Sequence, residues 1–402
     1  MQIIYSLAGI FAILACAYAL SDSRKSINWR TVLGAFALQA SFAALVLYFP
    51  LGQSLLGSIS HGVSGLLAFA DQGIGFVFGE LATGSFIFAI RVLPLIIFLS
   101  AIISLLYYLG IMQKLILVIG GGIARALGTS KVESLAATSN IFLSMSEASL
   151  VVRPFLANMT RSELFAVIVG GMASVAGSVL GGYAALGVEL KYLIAASFMA
   201  APGGLLMAKI MVPERETSAA QGEIELEKST DSNVIDALAS GAMNGVRVAV
   251  AVGTMLIAFV SVIAMVNAGF EAAGELVGID NLTLQTIFGY LFAPLALFAG
   301  VPMNEVFSAA ALIGQKTVLN EFVAFLDFVN VKETLSAHSQ VIITFALCGF
   351  ANIGSIAIQL GSIGAMAPER RHEVAKLGVR AVTAATLANM MSAALAGLFI
   401  AL

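Results

Sequence analysis

Nine stretches of this 402-residue chain run without a single Asp, Glu, Lys or Arg: 1–20, 31–70, 92–113, 164–188, 192–208, 248–270, 281–304, 339–368 and 381–402. About 20 helical residues cross the roughly 30 Å hydrocarbon core of a bilayer, so several of these runs fit one crossing each. Charged residues make up 11% of the chain, against about a quarter in soluble domains. The fold class is therefore an all-α polytopic membrane protein. The first run lacks the basic n-region and small-residue cleavage site of a secretory signal and reads as a retained helix. A net charge of -3 with three histidines provides no basic face for nucleic acid. Cys16 and Cys348 lie in apolar runs with neither disulfide nor metal-ligand spacing and read as packing residues. Thirty-nine glycines with eight prolines suit close helix packing in lipid.

Orientation follows the Lys and Arg content of the short connections. Arg24, Lys25 and Arg30 follow the first helix, whereas the connection after the second holds His61, Asp71 and Glu80 and no base. Arg370, Arg371, Lys376 and Arg380 precede the last helix. Both basic connections are expected inside, which places both termini outside. That requires an even number of crossings. Eight fits if two further stretches, about 133–160 and 303–333, enter the bilayer and return. The hydrophilic segment 212–233, with Glu214, Glu216, Glu223, Glu225, Glu227 and Asp231 against Arg215 and Lys228, reads as a cytoplasmic linker between two halves. Trp29 beside Arg30 reads as an interface anchor.

A carboxylate at membrane depth marks a substrate or ion site by default. Glu147, in Ser139-Asn140-Ile141-Phe142-Leu143-Ser144-Met145-Ser146-Glu147, and Glu321, in Gly314-Gln315-Lys316-Thr317-Val318-Leu319-Asn320-Glu321, lie near the tips of the two re-entering stretches. The competing reading for each is a helix-end acid at the interface. Small polar residues also interrupt two long runs, at 171–179 and 349–356, one in each half. Broken helices in corresponding positions of two halves point to a transporter site, and a small-residue packing face is the alternative. Lys316 is expected to neutralise the hairpin acids and Arg153 to anchor at the interface.

The stretches Gly314-x-Lys316-x-x-x-Asn320-Glu321-Phe322-Val323-Ala324 and Cys348-Gly349-Phe350-Ala351-Asn352-Ile353-Gly354-Ser355, with the hairpin around Asn140 and Glu147, resemble the concentrative nucleoside transporter family over about residues 90–400. The resemblance implies a homotrimer of eight-helix subunits with two opposed re-entrant hairpins, broken fourth and seventh helices, and a transport domain moving like an elevator against a scaffold. It divides the chain into 1–111 (scaffold helices 1–3), 112–211 (interfacial helix, hairpin 1 and helices 4–5), 212–243 (acidic linker), 244–270 (scaffold helix 6) and 271–402 (hairpin 2 and helices 7–8). Carried over by position, Met145, Ser146, Glu147 and Val179 face the base; Glu321, Asn352 and Ser355 face the ribose, with Phe350 packing nearby. The sodium site maps to Asn140, Leu143, Ser174 and Val175, partly through backbone carbonyls.

The chemistry agrees with these roles. Vicinal ribose hydroxyls donate well to a carboxylate, and charge-assisted bonds are about twice as strong as neutral ones. Asn352 offers a donor and an acceptor, and Ser355 offers either. No nucleophile or metal constellation is present, so catalysis is not expected. Relatives carry Gly-Gln-Thr-Glu-Ala-Pro where this chain has Ser144 to Ser149, so Met145 replaces an amide that would bond the base. Met145 and Val179 resemble purine-preferring members and Ser144 a pyrimidine-preferring one. A thioether adapts to a larger base, and purine nucleosides are expected to be accepted at least as well as uridine. Asn140 and Ser174 favour sodium coupling over the proton coupling of some bacterial members. The rivals are a symporter for another polar metabolite, an intramembrane enzyme and a channel. The resemblance also implies a bacterial inner-membrane location.

Overall fold

The computed structural model describes residues 2–217, 229–279 and 281–402. The central part of the expected acidic linker, with Glu223, Glu225, Glu227 and Lys228, lies outside the described residues. Among the described residues all regular structure is helical.

The chain opens with α1 (Gln2–Ala19), α2 (Trp29–Leu47) and α3 (Pro50–Phe78). Asn28 caps α2 by accepting from the backbone of Arg30 and Thr31. The charge-free run 31–70 is divided at Phe49-Pro50, where proline occupies the first turn of α3; its fixed φ and missing N–H suit a helix start and end the preceding helix. Then come α4 (Phe88–Arg91), α5 (Leu93–Tyr108) and α6 (Ile111–Leu127). Gly110 and Gly128, at φ 75° and 67°, bracket α6 with the left-handed turns that detach it from its neighbours.

Two short helices follow, α7 (Lys131–Ser139) and α8 (Met145–Val151), then α9 (Arg161–Ala173), α10 (Gly177–Ala185) and α11 (Leu190–Met211). Beyond the linker, α12 (Val234–Val277) runs for 44 residues, about 66 Å at 1.5 Å per residue. The second half continues with α13 (Leu284–Leu291), α14 (Ala293–Phe298), α15 (Val306–Val318), α16 (Glu321–Val331), α17 (Ala337–Leu347), α18 (Gly354–Met366) and α19 (Arg371–Ala401). The pairs α7–α8 and α15–α16 are the helix–turn–helix units within the two segments expected to re-enter.

Among the described residues eight helical segments are long and apolar enough to cross a membrane. The number equals the expected one, but the membership differs. Pro50–Ala82 qualifies by length and composition, although the sequence reading leaves it in a connection. The run 339–368, expected as a broken seventh helix, falls in α17 and α18, each too short alone.

Burial separates the helices into an inner and an outer set. The best apolar windows of α11 and of Arg161–Ala185 are 94% and 83% buried, against 17% in α12 and 11% in Pro50–Ala82. The inner set packs α19 against α1, α9, α11 and α17. In the outer set α12 lies along α5. Gly241 and Gly245 permit that approach, because a Cβ on Gly245 would stand 2.6 Å from Ile97 Cα and one on Gly241 2.7 Å from the Ser100 carbonyl oxygen. Small residues four apart let helix backbones touch, and in lipid such contact supplies the packing that hydrophobicity cannot.

One end of the molecule gathers the charged connections. Asp22 pairs with Arg161 at 3.1 Å and with Arg380, and its amide donates to Met211 O at 2.9 Å. The first and last basic connections therefore meet at a common end. Beside them, buried Lys209 lies 2.5 Å from Glu133 Oε2 and donates to Ser162 Oγ at 2.9 Å, joining α11 to α7 and α9.

Candidate functional site

The segments 161–185 and 337–366 break where small polar residues interrupt the apolar runs. α9 ends at Ala173, Ser174 is extended (φ -103°, ψ 173°), and α10 begins at Gly177. α17 ends at Leu347 and α18 begins at Gly354. Unwound backbone at this depth needs protein partners, and the partners are specific. Gly177 N donates to Phe142 O at 3.0 Å, tying the first break to the α7–α8 turn. Ile353 N donates to Thr317 O at 3.2 Å, tying the second break to α15. Phe350 N donates to Ser174 O at 3.0 Å, so the two breaks also bond each other.

Glu321 is the first residue of α16 and 4% exposed. Its Oε1 accepts from Tyr183 Oη at 2.9 Å and its Oε2 from Asn352 Nδ2 at 3.4 Å. Asn352 Oδ1 in turn accepts from Ser355 N at 2.9 Å and from Ser355 Oγ at 3.1 Å, and Ser355 Oγ also donates to Phe350 O at 2.5 Å. Glu321, Asn352, Ser355 and Phe350, separated by up to 34 positions in the sequence, are thus brought into one network. Among the described residues no ion pair within 4 Å links Lys316 to Glu321. The direct partner of buried Lys316 Nζ is Asn389 Oδ1, at 2.6 Å.

The first-half residues surround the α7–α8 turn. Glu147 Oε2 accepts from Ser144 N and Ser144 Oγ, both at 2.9 Å, closing a capping box at the start of α8. It is thus a helix-end acid, and it also lines a cavity of about 430 Å³ with Leu143, Leu150, Ser178 and residues of α5 and α12. Glu321, Asn352 and Ser355 do not line that cavity. Met145 and Val179 are buried, at 4% and 3% exposure, while Ser146 is half-buried and accepts from Ser362 Oγ at 3.5 Å. α18 therefore runs from the Glu321 network at Ser355 to α8 at Ser362.

Asn140, Leu143, Ser174 and Val175 are all buried. Asn140 Nδ2 donates to Ala136 O at 2.8 Å, leaving Oδ1 buried without a partner. A buried orphan acceptor is costly, and a hard cation with oxygen preference is a ligand that satisfies it. The donor set present fits a sodium ion.

Three participants escape sequence reasoning. Tyr183, fully buried between Phe322 and Phe325, looks like an aromatic core residue. Asn389 is the single amide side chain of α19, and Gln359 is fully buried with neither amide atom partnered. A signal for each was available: a polar atom within an otherwise apolar span.

Three family models match. "Na+ dependent nucleoside transporter C-terminus" covers residues 192–397, the corresponding N-terminus model covers 8–81, and "Nucleoside recognition" covers 89–189. An uncharacterized transporter of Haemophilus influenzae is 52% identical, over 100% of this chain and 99% of the relative. The nucleoside permease NupC of Helicobacter pylori is 43% identical, over 99% and 98%. The structure of CNTnw in an inward-facing substrate-bound state superposes with a TM-score of 0.95 at 51% identity, covering 100% of this chain and 98% of that one. The family model that spans more than half the chain, together with full-length relatives and a solved structure, makes this protein a member of the concentrative nucleoside transporter family, a membrane transporter and not an enzyme.

Proposed function

We propose that this protein imports nucleosides in symport with sodium across a bacterial inner membrane. Glu321, Asn352 and Ser355 take the ribose with Phe350 beside them, and Met145, Ser146, Glu147 and Val179 face the base. Asn140 Oδ1, the Leu143 and Val175 carbonyls and Ser174 hold sodium. The observation that carries this reading is the buried, unpartnered Asn140 Oδ1 on the helix leading into the α7–α8 turn, whose Phe142 carbonyl is bonded to the first helix break. Sodium there joins the turn to the break and favours the geometry that presents Met145 and Val179. Glu321 supplies a carboxylate that vicinal hydroxyls can satisfy once they displace the weak 3.4 Å bond from Asn352.

The transport mechanism in this reading is an elevator. Residues 112–211 and 271–402 move as a transport domain against a scaffold of 1–111 and 244–270. The α7–α8 and α15–α16 units re-enter without crossing, both termini face the periplasm, and three copies assemble through the scaffold. The solved CNTnw structures, which include inward-facing and outward-facing states at TM-scores of 0.95, support a fold able to occupy both.

The test is uptake of radiolabelled uridine and adenosine into proteoliposomes, with and without an inward sodium gradient, for the wild type and Glu321→Gln. Sodium-driven uptake abolished in the variant supports the reading. Uptake that persists without sodium and collapses with a protonophore replaces sodium by protons, and absence of uptake under either gradient moves the search to other polar metabolites. The adenosine-to-uridine ratio reads the effect of Met145.

A further inference from the structure

Asn389 lies near the middle of α19, 2% exposed, and touches three elements that otherwise belong to separate parts of the site. Its Oδ1 accepts from Lys316 Nζ at 2.6 Å. Its Nδ2 donates to Ala173 O at 2.6 Å and to Cys348 O at 3.2 Å. An ammonium can only donate and a carbonyl can only accept, so these partners fix the amide orientation without ambiguity. Both donors of the amide and one lone pair of its oxygen are used.

The two carbonyls are the last before each helix break. Ala173 immediately precedes Ser174 and Val175, and Cys348 precedes the 349–353 segment that ends in Asn352 and Ile353. Lys316 lies on α15, one turn before the Asn320-Glu321 start of α16, and is fully buried. Gly349 shows how closely the parts fit: a Cβ there would stand 2.4 Å from Asn389 Oδ1 and 2.8 Å from Ala173 O. The space between the breaks is filled by one amide and closed to any larger neighbour.

We infer that Asn389 is a positioning residue that couples the ion to the substrate, by holding the two helix breaks at a fixed separation and both to the α15–α16 hairpin through Lys316. This inference rests on the sodium and ribose assignments proposed above. A cation that orders Ser174 and Val175 pulls on Ala173 O; the same NH2 group transmits that displacement to Cys348 O and so to Asn352 and Glu321. The direct Phe350 N to Ser174 O bond is a second strut between the breaks, and the Asn389 amide adds the only link from both of them to Lys316 among the described residues. Coupling of this kind is reciprocal: if sodium tightens nucleoside binding by some factor, nucleoside tightens sodium binding by the same factor.

The experiment measures uridine and adenosine dissociation constants on the purified full-length protein across a sodium series at constant ionic strength. The wild type and Asn389→Asp are compared, with the sodium titration repeated with and without nucleoside. Asp retains an acceptor for Lys316 but loses both donors to the carbonyls. Sodium is expected to tighten nucleoside binding roughly tenfold or more in the wild type, within the usual range for coupled sites. In Asn389→Asp that factor falls to within about twofold of unity, while affinity without sodium changes by less than about threefold. A role confined to stability lowers the melting temperature and leaves the coupling factor unchanged, which overturns the inference. If Asn389→Asp does not fold, the paired Lys316→Met, Asn389→Ala variant removes the buried polar pair together without added bulk and is expected to lose the same coupling; retention of wild-type coupling there overturns the inference. A wild type whose nucleoside affinity ignores sodium overturns the symport reading itself and the inference with it.

Discussion

Tyr183 on α10 and Glu321 on α16 are 138 residues apart, and a 2.9 Å hydrogen bond from the phenol to Oε1 joins them. The bond crosses from the first half of the chain to the second. It also fixes the carboxylate orientation, because Oε1 is committed to the phenol while Oε2 has only the 3.4 Å contact from Asn352. The oxygen with the weaker partner is the one free to take a ligand.

Tyr183→Phe tests that division. The ring remains between Phe322 and Phe325, so the packing is kept and only the donor is lost. A hydrogen bond to a charged group contributes about 1.5–3 kcal/mol, and each 1.4 kcal/mol is a factor of about ten in affinity. Nucleoside binding is expected to weaken roughly tenfold or more, measured by calorimetry on the purified protein. Unchanged affinity would mean that the phenol does not orient Glu321 toward substrate.

Asn140→Leu addresses the ion. Leucine keeps the branching of the asparagine side chain and brings no polar atom, so the buried orphan oxygen is removed and not replaced. The lost Nδ2 bond to Ala136 O is local to one helix turn, and the melting temperature is expected to change by only a few degrees. The sodium concentration for half-maximal nucleoside binding is expected to rise about tenfold or more. A sodium titration superimposable on that of the wild type would move the ion elsewhere.

How much of this was legible depends on the kind of signal each residue leaves. Glu321, Asn352 and the two helix breaks stand out because a charge or a run of small polar groups is conspicuous in an apolar background. The role of Glu147 is only half legible: Ser144-x-x-Glu147 is a capping-box pattern, as are Ser130-x-x-Glu133 and Thr160-x-x-Glu163, and the pattern explains its local bonds without its place on the cavity. α3 was hidden because residues 31–70 hold no charge to mark the turn at Pro50. Asn389 was hidden because its partners Lys316, Cys348 and Ala173 lie 41 to 216 positions away, and no local periodicity encodes contacts at that range.

A pH effect is expected at Glu305, in the turn that precedes α15. Ser336 donates to Glu305 through its N at 3.1 Å and its Oγ at 2.9 Å, linking the start of α17 to the residue before α15. Partial burial raises the Glu305 pKa, but hydrogen bonds from Ser339 and Ser336 outweigh it and hold the carboxyl below its usual range. The folded value is depressed, so its stabilisation is complete above the unfolded value, about 4.3 for glutamate, and is lost as pH falls through the folded one. The melting temperature is expected to decline as pH falls from about 5 to about 3, and less steeply in Glu305→Gln. Parallel slopes for the two proteins would remove Glu305 from the explanation.

Two glycines on α12 are expected to respond to substitution with opposite signs. Gly245 meets the α5 backbone, with Ile97 Cα 2.6 Å from a modest Cβ, whereas Gly269 has nothing within 4 Å. At Gly245 the contacting atom is main chain and cannot rotate away, so Gly245→Leu forces α12 off α5 at a cost of about 1–3 kcal/mol or more. The same displacement moves Gly241 and Asn244, which line the cavity beside Glu147, and nucleoside uptake is expected to fall with stability. Gly269→Ala adds a methyl in open space and removes backbone freedom from the unfolded chain, a gain of about 0.5–1 kcal/mol. Thermal melting of the two variants beside the wild type separates a packing requirement from a general intolerance of α12. Loss of stability in both would mean that the outer face of α12 is also covered by protein.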